Sequence, residues 1–342
     1  MRGPYILLCF ASSAIALAGP GYQAVNISAG VKINGEEITS FTKQGWLSLR
    51  GAGTDSSTLI GGQWVNGPKY GLSQTNYLNS RGEHLRDATF APKFSPGLGE
   101  PYTLIPSFEF LNGHNFVGLS DTGQVYGSMY FIDPPYRNYA ISWNSKTGKF
   151  FEYGVPNIRR GSAVVFMDGS DRAYVTNDYE LPYSSNATVN VFEKGVLREV
   201  VPQAQFMAAN DAGTFVTWNN WSQSDFTIHR ASGKKNYKMN FYTYSITDDE
   251  TLVGALVLPG NVVKYGIFKD EKFMDYRDIA PGLPLDLEIR DLKARGDGQI
   301  AIVGWRKSAS ATQVYILKPV PEPATLLTLG LGAWLVARRR RA

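Results

Sequence analysis

Along most of this chain, apolar residues come in short runs of strand length, broken every few residues by small clusters of Asp, Asn, Ser, Thr and Gly. The stretch SDTGQVYG, Ser120 to Gly127, shows the unit: a turn-forming triplet, a polar residue, then an apolar strand start that runs on to glycine. It has echoes. DSSTLIG begins at Asp55, GSDRAYV at Gly169, DAGTFVT at Asp211, DDETLVG at Asp248 and GDGQIAI at Gly296. With the copy at Asp121, the starts are 66, 48, 42, 37 and 48 residues apart. Each copy is followed by a second apolar-aromatic run, a tight turn and another strand, as in YAISWNSKTGKFFEYGV, TVNVFEKGVLREVV, FTIHRASGKKNYKMN and YGIFKDEKFMDY. For the first unit the equivalent is TNYLNSRGEHLRDA. Gly, Asp and Asn suit such turns because they tolerate the positive φ that tight hairpins need.

Four strands in some 40 to 50 residues, recurring about six times, predict an all-β fold: a β-propeller of about six four-stranded blades. A pair of β-sandwiches is the rival architecture. The long first interval is accommodated by treating RDATFAPKFSPGLGEPYTLIPSF, Arg86 to Phe108, as a Pro- and Gly-rich loop on one face. The last unit ends one strand short at TQVYILKPV. VKINGEEITSF, Val31 to Phe41, is expected to supply the missing strand and close the ring.

The pattern lengthens only at the two ends. Residues 1–18 read as a signal peptide with a signal helix: a basic start at Arg2, an apolar stretch from Ile6 to Leu17, and small residues Ala16 and Ala18 at the −3 and −1 positions of a cleavage site after Ala18. Cys9 does not mark a lipoprotein, because the apolar stretch continues past it. Near the other end, Ala324 to Ala337 is an uncharged, mainly apolar run of 14 residues. As a helix it is about 21 Å long at about 1.5 Å per residue, short of a hydrocarbon core of about 30 Å. It is therefore a marginal transmembrane helix, and Arg338, Arg339, Arg340 and Arg341 would remain on the cytoplasmic side. The body, residues 19–319, lies between these ends, and residues 320–342 form the tail.

Pro321-Glu322-Pro323, the Gly- and Leu-rich run and the terminal arginines, in that order, resemble a PEP-CTERM sorting signal. The resemblance implies that Pro321, Glu322 and Pro323 are recognised by an exosortase, a membrane transpeptidase-like enzyme, while the run holds the substrate in the inner membrane. It further implies a Gram-negative source that makes exopolysaccharide, and a destination at the cell surface or in the extracellular matrix. The body is similar to HAF-repeat proteins, whose repeats read Asn/Asp-x-Gly-Gln-Val-x-Gly. SDTGQVYG carries that likeness, and the other copies are degenerate.

Composition agrees with a strand-rich body: 13% of residues are aromatic, and 35 Gly and 18 Pro provide turns. The formal net charge of +4 belongs to the ends. Without Arg2 and the four terminal arginines, the 34 basic residues fall to 29 against 30 acidic ones. A near-neutral body lacks the cationic surface that nucleic-acid binding needs. The single cysteine, Cys9, precludes an internal disulfide.

Chemical motifs are sparse. His84, His114 and His229 are far apart, and there is no zinc spacing, phosphate-binding loop, dinucleotide glycine pattern or nucleophile elbow. No metal, cofactor or catalytic set is expected. Asp55, Asp121, Asp171, Asp211 and Asp248 fall in the repeat turns, where they are expected to bond to turn backbone. Asp168 with Asp171, and Asp248 with Asp249 and Glu250, offer oxygens to Ca²⁺ without completing a known loop. Trp143, Trp218, Trp221 and Trp305, with Tyr126, Tyr130, Tyr136 and Tyr139, are candidates for stacking on sugar rings, or else for packing between blades. The expectation is a non-catalytic binding or scaffolding propeller whose partners are matrix polysaccharide or surface proteins. The alternative is a glycan-active hydrolase or lyase with two acidic residues at the central channel. Carboxylates and aromatics at one mouth of the channel favour the enzyme, and small turn residues there disfavour it.

Overall fold

The computed structural model describes residues 21–31, 35–51, 56–66, 77–86, 92–98, 100–106, 113–130, 138–154, 161–177, 187–219 and 225–320. They form a propeller of seven four-stranded antiparallel sheets, one more than the six expected. After β1 (Gly21–Asn26), blade 1 comprises β2 (Gly35–Phe41), β3 (Leu47–Gly51), β4 (Ser56–Ile60) and β5 (Gln63–Asn66). Blade 2 comprises β6 (Tyr77–Leu78), β7 (His84–Arg86), β8 (Lys93–Ser95) and β9 (Thr103–Leu104). Blade 3 is β10 (Gly113–Leu119), β11 (Gln124–Tyr130), β12 (Asn138–Asn144) and β13 (Phe150–Glu152), and blade 4 is β14 (Ser162–Met167), β15 (Arg172–Asn177), β16 (Thr188–Glu193) and β17 (Val196–Pro202). Blade 5 is β18 (Ala204–Ala209), β19 (Phe215–Asn219), β20 (Asp225–Arg230) and β21 (Gly233–Lys238). Blade 6 is β22 (Phe241–Ile246), β23 (Leu252–Leu258), β24 (Val262–Lys269) and β25 (Lys272–Asp275). Blade 7 has β26 (Leu287–Ala294), β27 (Ile300–Arg306) and β28 (Ala311–Val320), with β1 as its outermost strand.

The first strands touch in an unbroken cycle, β2 to β6, β10, β14, β18, β22, β26 and back to β2, so they are the innermost strands of a closed ring. Closure does use an N-terminal strand, but it is Gly21–Asn26 and not Val31–Phe41. Most of that second stretch is β2, the innermost strand of blade 1.

All seven blades share one hairpin between their first two strands. It starts at Thr42, Asn79, Ser120, Asp168, Asn210, Thr247 and Arg295, at intervals of 37 to 48 residues. In each, the first residue's N–H donates to the carbonyl of the fifth, and the fourth residue's N–H donates to the carbonyl of the first. The fourth residue has positive φ throughout: Gly45, Gly82, Gly123, Gly213 and Gly298, with Asp171 (φ 60) and Glu250 (φ 62) in the other two. This is a type I turn followed by a left-handed residue. In blades 1 to 6 the first residue's side chain caps the turn, and in blade 7 Asp297, the third residue, accepts the Gln299 N–H instead. Asn79 Oδ1 accepts the Arg81 and Glu83 N–H groups at 3.0 Å each, and Asp168 Oδ1 accepts those of Ser170 and Arg172 at 2.8 and 3.0 Å.

This hairpin explains the extra blade. TNYLNSRGEHLRDA contains the first hairpin of blade 2, not the second hairpin of unit one, and the supposed loop Arg86 to Phe108 supplies β8 and β9. DSSTLIG runs into the third strand of blade 1, and Asp55 itself lies outside the described residues. The turns of blades 1 and 2 carry Lys43 and Ser80 where the other copies carry Asp or Gly, so a pattern keyed to Asp and Gly passed over them. The expected signal helix and C-terminal span fall in residues 1–20 and 321–342, outside the described residues. Among the described residues, no helix is long and apolar enough to cross a membrane.

Packing is between blades. Six apolar clusters fill six of the junctions, such as Leu85, Phe94 and Ile105 of blade 2 against Phe116, Val125, Met129 and Ile141 of blade 3. Among the described residues, no such cluster joins blades 1 and 2. There the Leu78 N–H donates to Ser40 Oγ at 2.9 Å, and the Lys43 N–H to Ser80 Oγ at 3.3 Å.

Gly213 tests the shared hairpin. Its φ is +85, and the Arg172 guanidinium from blade 4 covers it so closely that a Cβ would lie 1.5 Å from Nη1. Gly148 also has positive φ, with nothing within 4 Å of its Cβ position. Gly148→Ala is expected to cost about 1 kcal/mol of unfolding free energy. Gly213→Ala, which also displaces Arg172, is expected to cost about 2–3 kcal/mol. Urea titrations of the two variants measure the difference, and equal losses would show that the arginine contact contributes nothing.

Candidate binding site at the channel mouth

Repetition of one hairpin around a ring places equivalent positions around the axis. The second residue of each turn, Lys43, Ser80, Asp121, Gly169, Asp211, Asp248 and Gly296, lines a single cavity of about 370 Å³ together with the ends of the innermost strands. Beneath this rim the innermost strands share a second feature. In blades 1, 3, 4, 5 and 6 the register slips by one residue at Thr39, Val117, Val165, Met207 and Tyr244, each three positions before its turn. A bulge re-aims a side chain, and all five of these residues line the cavity. The mouth thus has a charged rim over a largely apolar wall.

Lys43 from blade 1 reaches across the mouth. Its Nζ lies 2.8 Å from Asp211 Oδ2 of blade 5 and 3.8 Å from Asp121 Oδ2 of blade 3. The Asp211 hydrogen bond is the largest influence on Lys43 and raises its pKa. Burial opposes it, and the charges of Asp211, Asp121 and Asp248 add to the rise. For Asp211, burial alone would raise the pKa, but the Lys43 hydrogen bond, the Gly169 N–H and the Lys43 charge together lower it. Among the second turn residues three carboxylates face one ammonium, and Lys293 and Arg295 bring two further cations to the same lining.

The acidic groups also join neighbouring blades. Asp121 accepts the Ser80 N–H and hydroxyl at 2.8 and 2.9 Å, and Asp211 accepts the Gly169 N–H at 2.8 Å. They do bond turn backbone, but that of the preceding blade. Thr122 donates to Asp171, the Asn210 amide donates to the Thr247 carbonyl at 3.0 Å, and the Asp248 N–H donates to the Gly296 carbonyl at 2.9 Å. Asp291 accepts the Ile38 N–H at 2.7 Å, and Lys293 Nζ donates to the Thr39 carbonyl at 3.1 Å. With the blade 1 to 2 bonds, these contacts run round the whole ring. Burial dominates the last pair, raising the Asp291 pKa and lowering that of Lys293.

The candidate tryptophans among the described residues are not brought together. Trp143 is buried between blades 2 and 3, edge-on to Phe94 at 5.4 Å, and Trp218 is buried between blades 5 and 6, edge-on to Tyr242 at 4.4 Å. Trp305 is half-buried, with the Arg290 guanidinium 5.6 Å above its ring. Trp221 and Tyr136 lie outside the described residues, as do Ala16, Ala18, Pro321, Glu322, Pro323 and the terminal arginines. Tyr139 packs against the cluster of blades 2 and 3, and Tyr130 ends β11. Tyr126 is buried yet borders the cavity. The three histidines are buried in blades 2, 3 and 5, and among the described residues no group of His, Cys, Asp and Glu is arranged to hold a metal. Sequence reasoning passed over Lys43 and Ser80. Their shared distance from a turn glycine was the available signal.

Residues 319–341 match the PEP-CTERM protein-sorting motif. No curated protein matches the chain. Among solved structures, the body is similar to an acylaminoacyl peptidase of Pyrococcus horikoshii (TM-score 0.53, 9% identity, 91% of this chain and 54% of that one). It is also similar to Raptor of Chaetomium thermophilum (0.51, 7%, 89% and 29%) and to an oligogalacturonate lyase of Vibrio parahaemolyticus (0.50, 11%, 89% and 92%). The chain thus spans about half of the peptidase and under a third of Raptor. At these identities the likeness is one of fold.

The buried histidines make stability pH-dependent. His229 stacks on Phe215 at 4.2 Å, with Nε2 2.9 Å from the Thr217 hydroxyl. Burial and then the Lys234 charge lower its pKa from 6.5 to about 4, against the opposing pull of Glu199. Burial likewise lowers His84 and His114. Between these values the unfolded chain binds more protons than the folded one, so the histidine contribution is present above pH 6.5 and is lost as pH falls towards 4. Asp168, which is buried, and the half-buried Asp291, whose pKa values are raised, act in the opposite direction. The comparison that isolates His229 is therefore the parent chain against His229→Asn. Urea midpoints at about pH 7.5 and about pH 4.5 are expected to fall further for the parent than for the variant. Equal falls would refute the assignment.

Proposed function

We propose that this chain is an exported propeller, directed to the cell envelope or extracellular matrix by its C-terminal sorting signal, whose body binds a ligand at the channel mouth without turning it over. The observation that carries the reading is the sorting motif at residues 319–341, joined directly to the last strand of a complete ring. In this reading a signal peptide is removed after Ala18. Pro321, Glu322 and Pro323 are presented to an exosortase, and the run before Arg338, Arg339, Arg340 and Arg341 holds the chain in the inner membrane until processing. The rim of mixed charge and the apolar wall favour a partner with polar groups on an apolar frame, such as a matrix polysaccharide or a surface protein. Binding is preferred to catalysis because Asp211 is held ionised by Lys43 and Asp121 is committed to Ser80, which suits fixed recognition better than proton transfer. Of the candidate tryptophans among the described residues, Trp305 is half-buried where Trp143 and Trp218 are buried.

A second reading, a glycan-active hydrolase or lyase, is favoured by one observation: Asp121, Asp211 and Asp248 share one mouth with the aromatic Tyr244.

Two measurements test these readings. Deleting residues 321–342 is expected to release the body into the medium, whereas the full chain fractionates with the envelope; envelope retention of the truncated chain would refute sorting by the tail. Matrix polysaccharide from an exopolysaccharide-producing host, incubated with the full chain, is expected to be retained and to yield no new reducing ends or unsaturated uronate. Triple substitution of Asp121, Asp211 and Asp248 by Asn is expected to abolish retention, while release of cleaved product by the parent chain would establish the enzyme reading instead.

A further inference from the structure

We infer that the turn-bearing face of the propeller, channel mouth included, lies against the lipid bilayer while the sorting tail is inserted, and is uncovered when the tail is released. This rests on the sorting reading above and adds an orientation to it.

Strand polarity sets the geometry. β27 leaves the blade 7 turn and runs away from the mouth, from Ile300 to Arg306, and β28 returns antiparallel, with Ala311 opposite Arg306 and Leu317 opposite Ile300. β28 therefore ends on the turn face. Pro319 packs beside that turn, with its Cγ 3.4 Å from where a Cβ on Gly298 would sit. β1 starts at the same level, because Gly21 pairs with Val320. Both segments read as membrane-directed, residues 1–18 and the tail, therefore join the body at one point of this face.

Length excludes the opposite face. β28 has 10 residues, so its far end lies roughly 30 Å from Val320. Only Pro321, Glu322 and Pro323 separate β28 from the apolar run that starts at Ala324. Fully extended, three residues reach about 10 Å. They cannot carry the chain back past the strand, so the opposite face, with the β27–β28 connection at Lys307–Ala309, points away from the bilayer. Resting on the edge of blade 7 would press the polar outer strand β1 onto lipid, with Gln23 and Asn26 exposed along it.

Cysteine mapping tests this, because Cys9 is the only native thiol. In a Cys9→Ser background, Ala212→Cys places an exposed thiol on the turn of blade 5, and Ala309→Cys places one on the opposite face. The full chain is expressed in a host without the processing enzyme, and spheroplasts are treated with a membrane-impermeant maleimide. The thiol at 212 is expected to react several-fold more slowly than that at 309, and the two to react equally once the chain is solubilised in detergent. Insertion of about 20 Gly/Ser residues between Val320 and Pro321, a coil spanning roughly 25 Å, is expected to remove the difference in spheroplasts. Equal reactivity of the unmodified tether, or protection that persists with the long linker, would overturn the inference. A full chain that never fractionates with membranes would instead refute the sorting reading beneath it.

Discussion

A propeller blade is a sheet with two apolar faces and no means of burying either alone, so seven blades are stable only as a cycle. The pairing of β1 with β28, from Gly21 opposite Val320 to Asn26 opposite Tyr315, completes that cycle. With Cys9 the sole cysteine, no covalent bond reinforces the join. It is extended instead by the Ile27 N–H on the Val314 carbonyl at 2.9 Å and the Val314 N–H on Ser28 Oγ at 2.9 Å. The side chains of Asn26 and Gln313 bond across it at 2.9 Å. The mouth depends on this closure as much as the core does. Lys43 of blade 1 meets Asp121 and Asp211 only when blades 3 and 5 face it across a completed ring.

The seven hairpins join local and global structure. In each the fourth residue adopts positive φ, and in blades 1 to 6 the first caps its own turn. The second faces the axis, and from there Asp121 and Asp211 hold the preceding turn. One sequence position thus serves both ring cohesion and ligand recognition. Such dual use makes the rim rigid, and a rigid rim favours binding because fewer side chains must be ordered when a partner arrives.

Much of the architecture was legible in the sequence because the hairpin has a mechanism: an αL residue, glycine in five of the seven turns, at a fixed distance from a capping side chain. Blades 3 to 7 follow it closely enough to be read. Blades 1 and 2 were merged because Lys43 and Ser80 replace the Asp or Gly of the other copies, and because β6 and β9 have only two residues each, too few for a period to show. The closing strand was misplaced because GEEITSF alternates like an outer strand, while GYQAVN carries little pattern of its own. At the site, Asp121 and Asp211 were visible as turn residues, but their bonds cross to another blade, and no local spacing encodes that. Trp143 and Trp218 illustrate the same limit, since an aromatic on a repeat strand has one sequence signature whether it meets solvent or the next blade.

The seam also fixes how the molecule carries load. Gly21 and Val320 are partners at one end of an antiparallel pair. Tension that draws the two chain ends apart peels β1 from β28 one rung at a time, the weakest way to load a sheet. Tension applied through β28 alone acts along a strand flanked by β27 on one side and β1 on the other, so many hydrogen bonds resist together in shear. An attachment at the C-terminal end alone therefore anchors the ring far more firmly than one at both ends.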